Sequence, residues 1–186
     1  MDTLKEKQEL RKKIKEQKAL MTEKEIEESD KLIEKNLMKL DEINNAKTIF
    51  CFVSMKDEIN TKYIIKKLLD LGKNVGVPKC EKENIMQVYK IESLNDLEIG
   101  FYNIEEPKVY CQKINPEDID MAIIPATACD KKRNRIGKGA GYYDRYLENQ
   151  KMIKIAVCRE KFLVESIPTD ENDIIMDKVV TESHIY

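Results

Sequence analysis

The segment from Arg135 to Leu147 concentrates the residue types that bind phosphate groups. It reads RIGKGAGYYDRYL, with three glycines at alternate positions, basic residues among them, two adjacent tyrosines and one carboxylate. Glycine lacks Cβ and adopts positive φ readily, so backbone N–H groups in such a bend can turn toward an anion without an intervening side chain. The segment is therefore predicted to cradle phosphate. The alternative is a surface turn between a strand and a helix, in which alternating glycines would only cost chain entropy.

Two familiar phosphate motifs do not fit this segment. A dinucleotide-binding fingerprint needs a third glycine where Tyr142 stands and a strand directly before it, whereas the charged loop 130–134 precedes this one. A P-loop needs Lys followed by Ser or Thr after its last glycine, but two tyrosines follow Gly141. From Tyr142 onward the spacing of Tyr143, Tyr146 and Leu147 predicts a helix.

The composition predicts one globular domain, residues 1–186, that does not bind nucleic acid as its general activity. A chain of 186 residues can bury about 70% of its unfolded surface. Lys and Arg number 33 against 35 Asp and Glu, which leaves a net charge of -2. Residues 131–138 are basic and residues 165–177 acidic, so these patches could hold a phosphate and a cation, or could be two solvated loops.

Cysteine use and hydropathy predict a cytoplasmic protein. The five cysteines are odd in number and widely spaced, with no Cys-x-x-Cys pair, which indicates neither a disulfide framework nor a zinc site. No apolar run approaches the roughly 18 residues needed to cross a bilayer. The single histidine, His184, lies in a tail predicted to fray, so histidine catalysis is not expected.

The apolar pattern predicts an α/β fold. Two N-terminal helices are predicted over 3–20 and 23–43, the second opened by a capping box of Thr22 and Glu25. A later helix ends at Gly72. The predicted strands are residues 48–53, 75–78, 86–89, 121–125 and 153–158. Their alternation with helices favours a three-layer, mostly parallel open sheet with helices on both faces and an N-terminal helical pair. Residues 92–118 are the longest stretch predicted to be irregular, and could form a flap over a site.

Polar segments follow several of the predicted strands, where ligands gather in parallel sheets. These segments are 54–58, 78–79, Pro125 with the glycine loop, and 159–161. Lys7 and Arg11 are spaced i and i+4, so they share one helix face and could reach a phosphate there, although an ordinary solvated helix also carries such pairs.

The chain resembles the 5-formyltetrahydrofolate cyclo-ligase family over nearly its whole length. The glycine segment preceded by Asp130 carries the resemblance most specifically. Further matching segments are KQELR at 7–11, SMKDEI at 54–59, EEP at 105–107, MAIIP at 121–125, 168–173 and Thr181-Glu182. The resemblance implies ATP- and Mg²⁺-dependent closure of 5-formyltetrahydrofolate to 5,10-methenyltetrahydrofolate, with release of ADP and phosphate. The partners expected are these small molecules, with no membrane or nucleic acid, and the protein is expected to be a monomer.

The resemblance also implies site residues. The implied ATP-binding residues are Lys7, Arg11, Arg135, Ile136, Gly137, Lys138, Gly139, Ala140, Gly141, Tyr142 and Tyr143. The implied substrate-binding residues are Val53, Met55, Glu58, Lys138, Gly139 and Tyr142. Lys138, Arg135 and Tyr142 would be catalytic, and Asp144 and Asp173 would bind Mg²⁺. Plain alternatives stay open: core packing for Val53 and Met55, and helix capping or surface solvation for the two aspartates.

Two positions depart from the family pattern. Ala140 stands where relatives commonly have Lys or Gly, so a phosphate contact from that side chain is absent and Lys138 could compensate. Lys161 occupies a position that is often Gln. Two other classes of function compete with the enzyme: a nucleotide-sensing regulatory domain, which would not need both metal carboxylates, and an RNA-associated protein, whose affinity would fall steeply with salt.

Overall fold

The chain contains both helices and strands, as the apolar pattern predicts, but in the described residues eight strands follow one another between residues 74 and 136 instead of alternating with α-helices. The structure, a computed structural model, describes residues 3–81, 85–100 and 104–186. The helices are α1 (Thr3–Ala19), α2 (Glu23–Leu37), α3 (Asp41–Asn45), α4 (Lys62–Asp70) and α5 (Tyr142–Leu147). The strands are β1 (Thr48–Cys51), β2 (Asn74–Cys80), β3 (Met86–Ile91), β4 (Leu97–Ile99), β5 (Glu105–Pro107), β6 (Lys113–Ile114), β7 (Met121–Pro125), β8 (Ala128–Asp130), β9 (Arg135–Ile136), β10 (Ile153–Val157), β11 (Leu163–Val164) and β12 (Lys178–Val180).

Seven of the strands form the main sheet in the order β12-β10-β7-β1-β2-β3-β6. The five strands from β12 to β2 are parallel to their neighbours. β3 and β6 extend the sheet at the β2 edge as antiparallel strands. The carboxyl ends of β1, β2 and β7 therefore lie together at one edge of the sheet, where ligands of such folds gather.

Each face of the main sheet is covered by helices. Adjacent strand residues point to opposite faces, so Ile49 joins one hydrophobic core and Phe50 the other. Helices α2, α3 and α4 pack on the Ile49 face, whereas α1 and α5 contribute Ile14 and Leu147 to the Phe50 face. The three-layer α/β prediction is confirmed. The two N-terminal helices are both present, on opposite faces of the sheet.

The second predicted helix, 23–43, is divided in the structure. The capping box of Thr22 and Glu25 opens α2 as predicted. The helix ends at Leu37, and Leu40 is extended, with φ -69° and ψ 134°, before α3 begins. Leu37, Leu40 and Ile43 are all buried in one core. Spacing by three residues also fits one continuous helix face, so the apolar pattern predicts which residues are buried but not where the helix is interrupted.

The prediction that residues 92–118 are irregular is wrong. This stretch holds β4, β5 and β6, and β6 pairs with β3 at the edge of the main sheet. The strands are only two or three residues long, which is too short for an alternating pattern to stand out. The prediction that this stretch is a flap stays untested, and residues 101–103 of it lie outside the described residues.

The C-terminal tail is ordered by backbone pairing, contrary to the predicted fraying. Val179 and Tyr186 exchange two backbone hydrogen bonds of 3.0 Å, and the Thr181 N–H donates to the His184 carbonyl. His184 lies at the surface and does not line the main cavity described below. Among the helices of the described ranges, none is long and apolar enough to span a bilayer.

Candidate active site

A cavity of about 910 Å³ opens at the carboxyl edge of β1, β2 and β7. Every site residue implied by the sequence lines it: Lys7, Arg11, Val53, Met55, Glu58, Arg135, Ile136, Gly137, Lys138, Gly139, Ala140, Gly141, Tyr142, Tyr143, Asp144 and Asp173. Pro78 and Pro125, at two of the predicted polar segments, line it as well. Six sequence-distant segments thus meet in one space whose size suits a small-molecule site.

The segment after β10 does not join this cavity, which corrects the prediction for residues 159–161. The Arg159 guanidinium points instead toward α2, where it donates to Ser29 Oγ at 2.6 Å and pairs with Asp30 at 2.7 Å. Lys161 is exposed. A buried guanidinium needs a carboxylate partner, and Asp30 supplies one away from the cavity.

The glycine loop connects β9 to α5 along the wall of the cavity. Gly139 and Gly141 adopt φ of 106° and 68°, backbone angles that residues with a Cβ atom rarely adopt. Gly137 does not have positive φ. The expectation that the glycines adopt positive φ is therefore confirmed for Gly139 and Gly141 and is wrong for Gly137. The Arg11 Nε–H donates to the Gly137 carbonyl at 2.8 Å and so ties α1 to the loop. The glycines lie on the cavity and are not packed beneath other elements.

Asp130 holds the approach to the glycine loop. Its side chain is fully buried and accepts backbone hydrogen bonds from Lys132, Asn134 and Ile167 at 2.9 to 3.0 Å. The Asn134 side-chain amide donates to it at 2.9 Å. The Asp130 carboxylate therefore holds both the turn of residues 130–134 and the backbone at Ile167, in the acidic segment 165–177.

We expect Asp130→Asn to destabilise the protein by about 3 kcal/mol, because an amide group cannot accept at both positions and buried donors would lose their acceptor. Urea denaturation measures this change. Asp118→Asn is the matched control, since Asp118 is exposed and makes one long bond of 3.4 Å to Asn115, and it should change stability by less than about 0.5 kcal/mol. Equal effects of the two substitutions would contradict the anchoring role of Asp130.

Two implied phosphate-binding cations pair with the two implied metal-binding carboxylates. Lys7 Nζ lies 2.5 Å from Asp173 and 2.6 Å from Asp170, and the Arg135 guanidinium lies 2.9 Å from Asp144. The side chains of Lys7 and Arg135 are only 7% and 2% exposed. Burial alone would lower the pKa of Lys7, but the two carboxylate hydrogen bonds outweigh it, so the pKa is raised above its ordinary value.

Asp144 contacts the backbone next to Asp173, and both side chains line the cavity. The backbone N–H of Ile174, the residue after Asp173, donates to Asp144 Oδ1 at 3.4 Å. In the part of the chain that the structure describes, no group of three acidic, His or Cys side chains could hold a metal unaided. Mg²⁺ is commonly bound by one or two carboxylates together with substrate phosphates and waters, and these two carboxylates in a cavity that also contains Lys and Arg side chains fit that arrangement.

Lys138 reaches across the cavity from the glycine loop to the loop after β1. Its Nζ lies 2.8 Å from Asp57 and 3.3 Å from Glu58. The Met55 N–H donates to the second oxygen of Glu58 at 2.9 Å, so Glu58 is held in place from both sides. Val53 is both a member of the hydrophobic core and a cavity residue, so core packing is confirmed for it and substrate binding stays a prediction.

The first turn of α5 brings aromatic rings to the cavity. The Tyr143 ring stacks on Phe50 at 6.1 Å between centroids, and the Arg135 guanidinium lies 5.7 Å from the Tyr143 centroid. Burial raises the pKa of the Tyr143 phenol well above its ordinary value, so the phenol stays protonated near neutral pH. Tyr142 packs under the Arg145 guanidinium, with 5.5 Å from the guanidinium carbon to the ring centroid.

Lys18 is a cavity residue that sequence reasoning missed. Its side chain is 17% exposed, and its Nζ donates to the Asp57 carbonyl at 3.3 Å and lies 5.7 Å from the Phe162 ring centroid. Burial lowers the pKa of Lys18, and the nearby Asp57 carboxylate opposes that shift. Lys18 follows Arg11 by seven residues, so the helical period that joins Lys7 to Arg11 could have found it.

Comparisons with known proteins identify the family of the chain. A sequence profile of the 5-formyltetrahydrofolate cyclo-ligase family matches residues 3–182. The chain belongs to this family. It is 30% identical to the 5-formyltetrahydrofolate cyclo-ligase of Mus musculus, over 89% of this chain and 87% of the relative. It is also 30% identical to the enzyme of that name from Haemophilus influenzae, over 90% of this chain and 92% of the relative.

A solved structure of Aquifex aeolicus 5,10-methenyltetrahydrofolate synthetase has the same fold. It superposes with a TM-score of 0.86 and 32% identity, and the match covers 96% of this chain and 91% of that one. The 5-formyltetrahydrofolate cyclo-ligase family consists of ligases, so this family member is an enzyme that acts as a ligase.

Proposed function

We propose that this ligase converts 5-formyltetrahydrofolate and ATP into 5,10-methenyltetrahydrofolate, ADP and phosphate. The observation that carries the proposal is one cavity lined by the glycine loop, by four cations (Lys7, Arg11, Arg135 and Lys138) and by the carboxylates of Asp144 and Asp173. These groups suit a polyphosphate, and family membership supplies the folate.

The chemical difficulty is a poor leaving group. The formyl carbon on N5 is amide-like, and N10 cannot expel its oxygen as hydroxide at a useful rate. Transfer of the γ-phosphoryl group to the formyl oxygen creates a good leaving group. N10 of the same molecule then attacks the formyl carbon and loses its proton. The bond from that carbon to the phosphorylated oxygen breaks, so phosphate departs with the former formyl oxygen and the five-membered ring is closed. Attack within one held molecule supplies a large effective concentration. The protein has mainly to position the reactants and to neutralise charge.

The nucleotide is proposed to bind along the glycine loop. Backbone groups of residues 136–141 and the cations Lys7, Arg11 and Arg135 would hold its phosphates. Within the described residues the buried Arg135 Nε–H has no hydrogen-bond acceptor, so the protein itself does not satisfy this guanidinium completely. Tyr142 and Tyr143, at the start of α5, would contact substrate and nucleotide.

The folate is proposed to bind at the opposite wall. Glu58, which is held by Met55 and Lys138, would accept hydrogen bonds from the pterin, and Val53 and Met55 would line its apolar face. Lys138 belongs to the glycine loop yet reaches Glu58, so it stands between the two proposed subsites. A cation at that point would stabilise the transferring phosphoryl group, which supports a catalytic role for Lys138.

Asp144 and Asp173 are proposed to hold Mg²⁺ through oxygen ligands and retained waters. The metal, when bound, would neutralise charge on the ATP phosphates. A cytoplasmic, monomeric enzyme is part of the same proposal. The five free cysteines support a reducing compartment.

The decisive assay mixes the protein with 5-formyltetrahydrofolate, ATP and Mg²⁺ and follows the absorbance of the methenyl product. We expect product only when all three are present, together with one ADP per product. A nucleotide-sensing domain would bind ATP without forming product, and an RNA-associated protein would show neither. Absence of product with every component present would end the proposal.

A further inference from the structure

Asp170 is a cavity residue to which neither the glycine motif nor the proposed reaction gives a role. It lies in the acidic segment that begins after β11, three residues before Asp173. Its carboxylate is 2.6 Å from Lys7 Nζ, and its side chain is 34% exposed. Lys7 therefore has two carboxylate partners, and they come from the same short turn.

Hydrogen bonds within this turn fix the two carboxylates relative to each other. The Asp170 N–H donates to Asp173 Oδ2 at 2.8 Å, and the Asn172 N–H donates to Asp170 Oδ1 at 3.0 Å. The Asp173 N–H donates back to the Asp170 carbonyl at 3.2 Å. Lys7 contacts Oδ2 of both aspartates, so its ammonium is fixed at the point where the two side chains meet.

The proposed function asks two things of Asp173 at once. It is proposed to bind Mg²⁺, yet its Oδ2 lies 2.5 Å from Lys7 Nζ. Lys7 is 7% exposed, and a buried ammonium is costly unless a carboxylate stays beside it. Metal binding at Asp173 would therefore weaken one of the two ion pairs of Lys7 at the moment when Lys7 must face the phosphates.

Resting on the proposed function, we propose that Asp170 is a positioning residue that retains Lys7 at the phosphate end of the cavity when Asp173 binds the divalent cation. When Asp173 releases Lys7 and binds the metal, the buried ammonium of Lys7 keeps Asp170 as its carboxylate partner. It acts through Lys7 and contacts neither the metal nor the substrate.

The proposal gives Asp170→Asn a specific effect on metal dependence. With Asp170 neutralised, Asp173 is the remaining carboxylate beside Lys7, so the metal must displace that lysine. We expect the Mg²⁺ concentration at which ADP binding reaches half of its Mg²⁺-dependent increase to rise about tenfold. The metal must then break the strong hydrogen bond between the charged groups of Lys7 and Asp173. Asp170→Glu keeps the charge and should recover most of this loss. Glu165→Gln, which removes one exposed charge from the same acidic segment, should change the midpoint less than twofold.

A double-mutant cycle separates positioning from direct metal binding. Calorimetric ADP titrations at a series of Mg²⁺ concentrations give the midpoint for wild type, Asp170→Asn, Lys7→Met and the double variant, with circular dichroism to confirm folding. If Asp170 acts through Lys7, Asp170→Asn shifts the Mg²⁺ midpoint about tenfold in the wild-type background. The same substitution shifts it less than twofold when Lys7 has already been replaced by Met. An equal shift in both backgrounds, or none in the wild type, would overturn the proposal.

A second measurement covers the case in which Lys7→Met abolishes ADP binding. Nitrogen-15 labelling of lysine lets the Lys7 ammonium be observed by NMR in the Mg²⁺–ADP complex, where a carboxylate partner slows proton exchange. We expect a slowly exchanging signal in the wild type that is lost in Asp170→Asn. A signal that is the same in both proteins would refute the positioning role. Failure of the wild type to bind Mg²⁺–ADP would refute the proposed function instead.

Discussion

Gly139→Val is expected to weaken ATP binding at least about a hundredfold, or ~2.7 kcal/mol, while the protein stays folded. Gly139 has φ of 106°, a conformation in which a β-branched side chain is strained by roughly 1–3 kcal/mol. A Cβ there would also lie 3.3 Å from the Arg11 guanidinium carbon. Because Arg11 donates to the Gly137 carbonyl, displacement of Arg11 would disturb both the loop and a proposed phosphate ligand. Calorimetric titration with ATP and Mg²⁺ measures the loss.

Gly72→Val provides the matched control for backbone strain. Gly72 follows α4 with φ of 72°, and a Cβ there would meet nothing within 4 Å. The substitution should therefore lower stability through the same left-handed conformation and leave ATP affinity unchanged. If Gly139→Val bound ATP within threefold of the wild type, or if Gly72→Val lost binding as strongly, the glycine loop would not be the nucleotide site.

The sequence predicts the glycine loop well because the information is local. Gly139, Gly141 and the helix that starts at Tyr142 follow from residue types within a few positions of each other. Lys7 and Arg11 are also placed correctly, because helical spacing puts them on one face and that face reaches the loop. The residues that bind Arg11 and Lys7 are more than a hundred positions away, and no local pattern identifies such partners.

The order of the strands predicts correctly which strand ends lie together. It does not predict the direction in which the side chains at those ends point. The ends of β1, β2 and β7 do meet at the cavity. Arg159 follows β10 at the same edge, but its guanidinium pairs with Asp30 on α2. The position of a strand end is set by topology, whereas the direction of a long side chain is set by the nearest buried carboxylate. Asp130 shows the same limit, because its donors include Ile167, which is 37 positions away.

The charge arrangement of the cavity also could not be derived from the sequence. Basic residues 131–138 and acidic residues 165–177 suggest separate phosphate and cation sites. In the structure Lys7, from a third segment, pairs with the acidic segment, and Arg135 of the basic segment pairs with Asp144 of α5, which belongs to neither segment. Each proposed metal ligand is thus already neutralised by a proposed phosphate ligand. ATP and Mg²⁺ are therefore expected to bind with positive cooperativity. When Mg²⁺ takes the carboxylates from Lys7 and Arg135, the ATP phosphates become the new partners of these two cations, and the reverse holds when ATP binds first.

Asp144→Asn is expected to lower turnover at millimolar Mg²⁺ by about a hundredfold, since a metal-binding carboxylate would become a neutral amide. The fold should persist. Asparagine has the same size, and its carbonyl oxygen can still accept from the Arg135 guanidinium and from the Ile174 N–H, which lie 2.9 and 3.4 Å from Asp144 Oδ1. Raising the Mg²⁺ concentration should restore part of the activity. Initial rates of methenyl product formation across a Mg²⁺ series measure both effects, with circular dichroism to confirm folding.

Asp70→Asn is the control that separates metal binding from a general loss of negative charge. Asp70 lies on the surface at the end of α4 and pairs with Lys66 at 2.7 Å, with a side chain that is 62% exposed. Exposed pairs of this kind contribute about 0.3–0.5 kcal/mol, so turnover and its Mg²⁺ dependence should both match the wild type. A Mg²⁺ midpoint that is unchanged in Asp144→Asn would assign Asp144 to the support of Arg135 alone, and the proposed metal site would then have to be sought around Asp173.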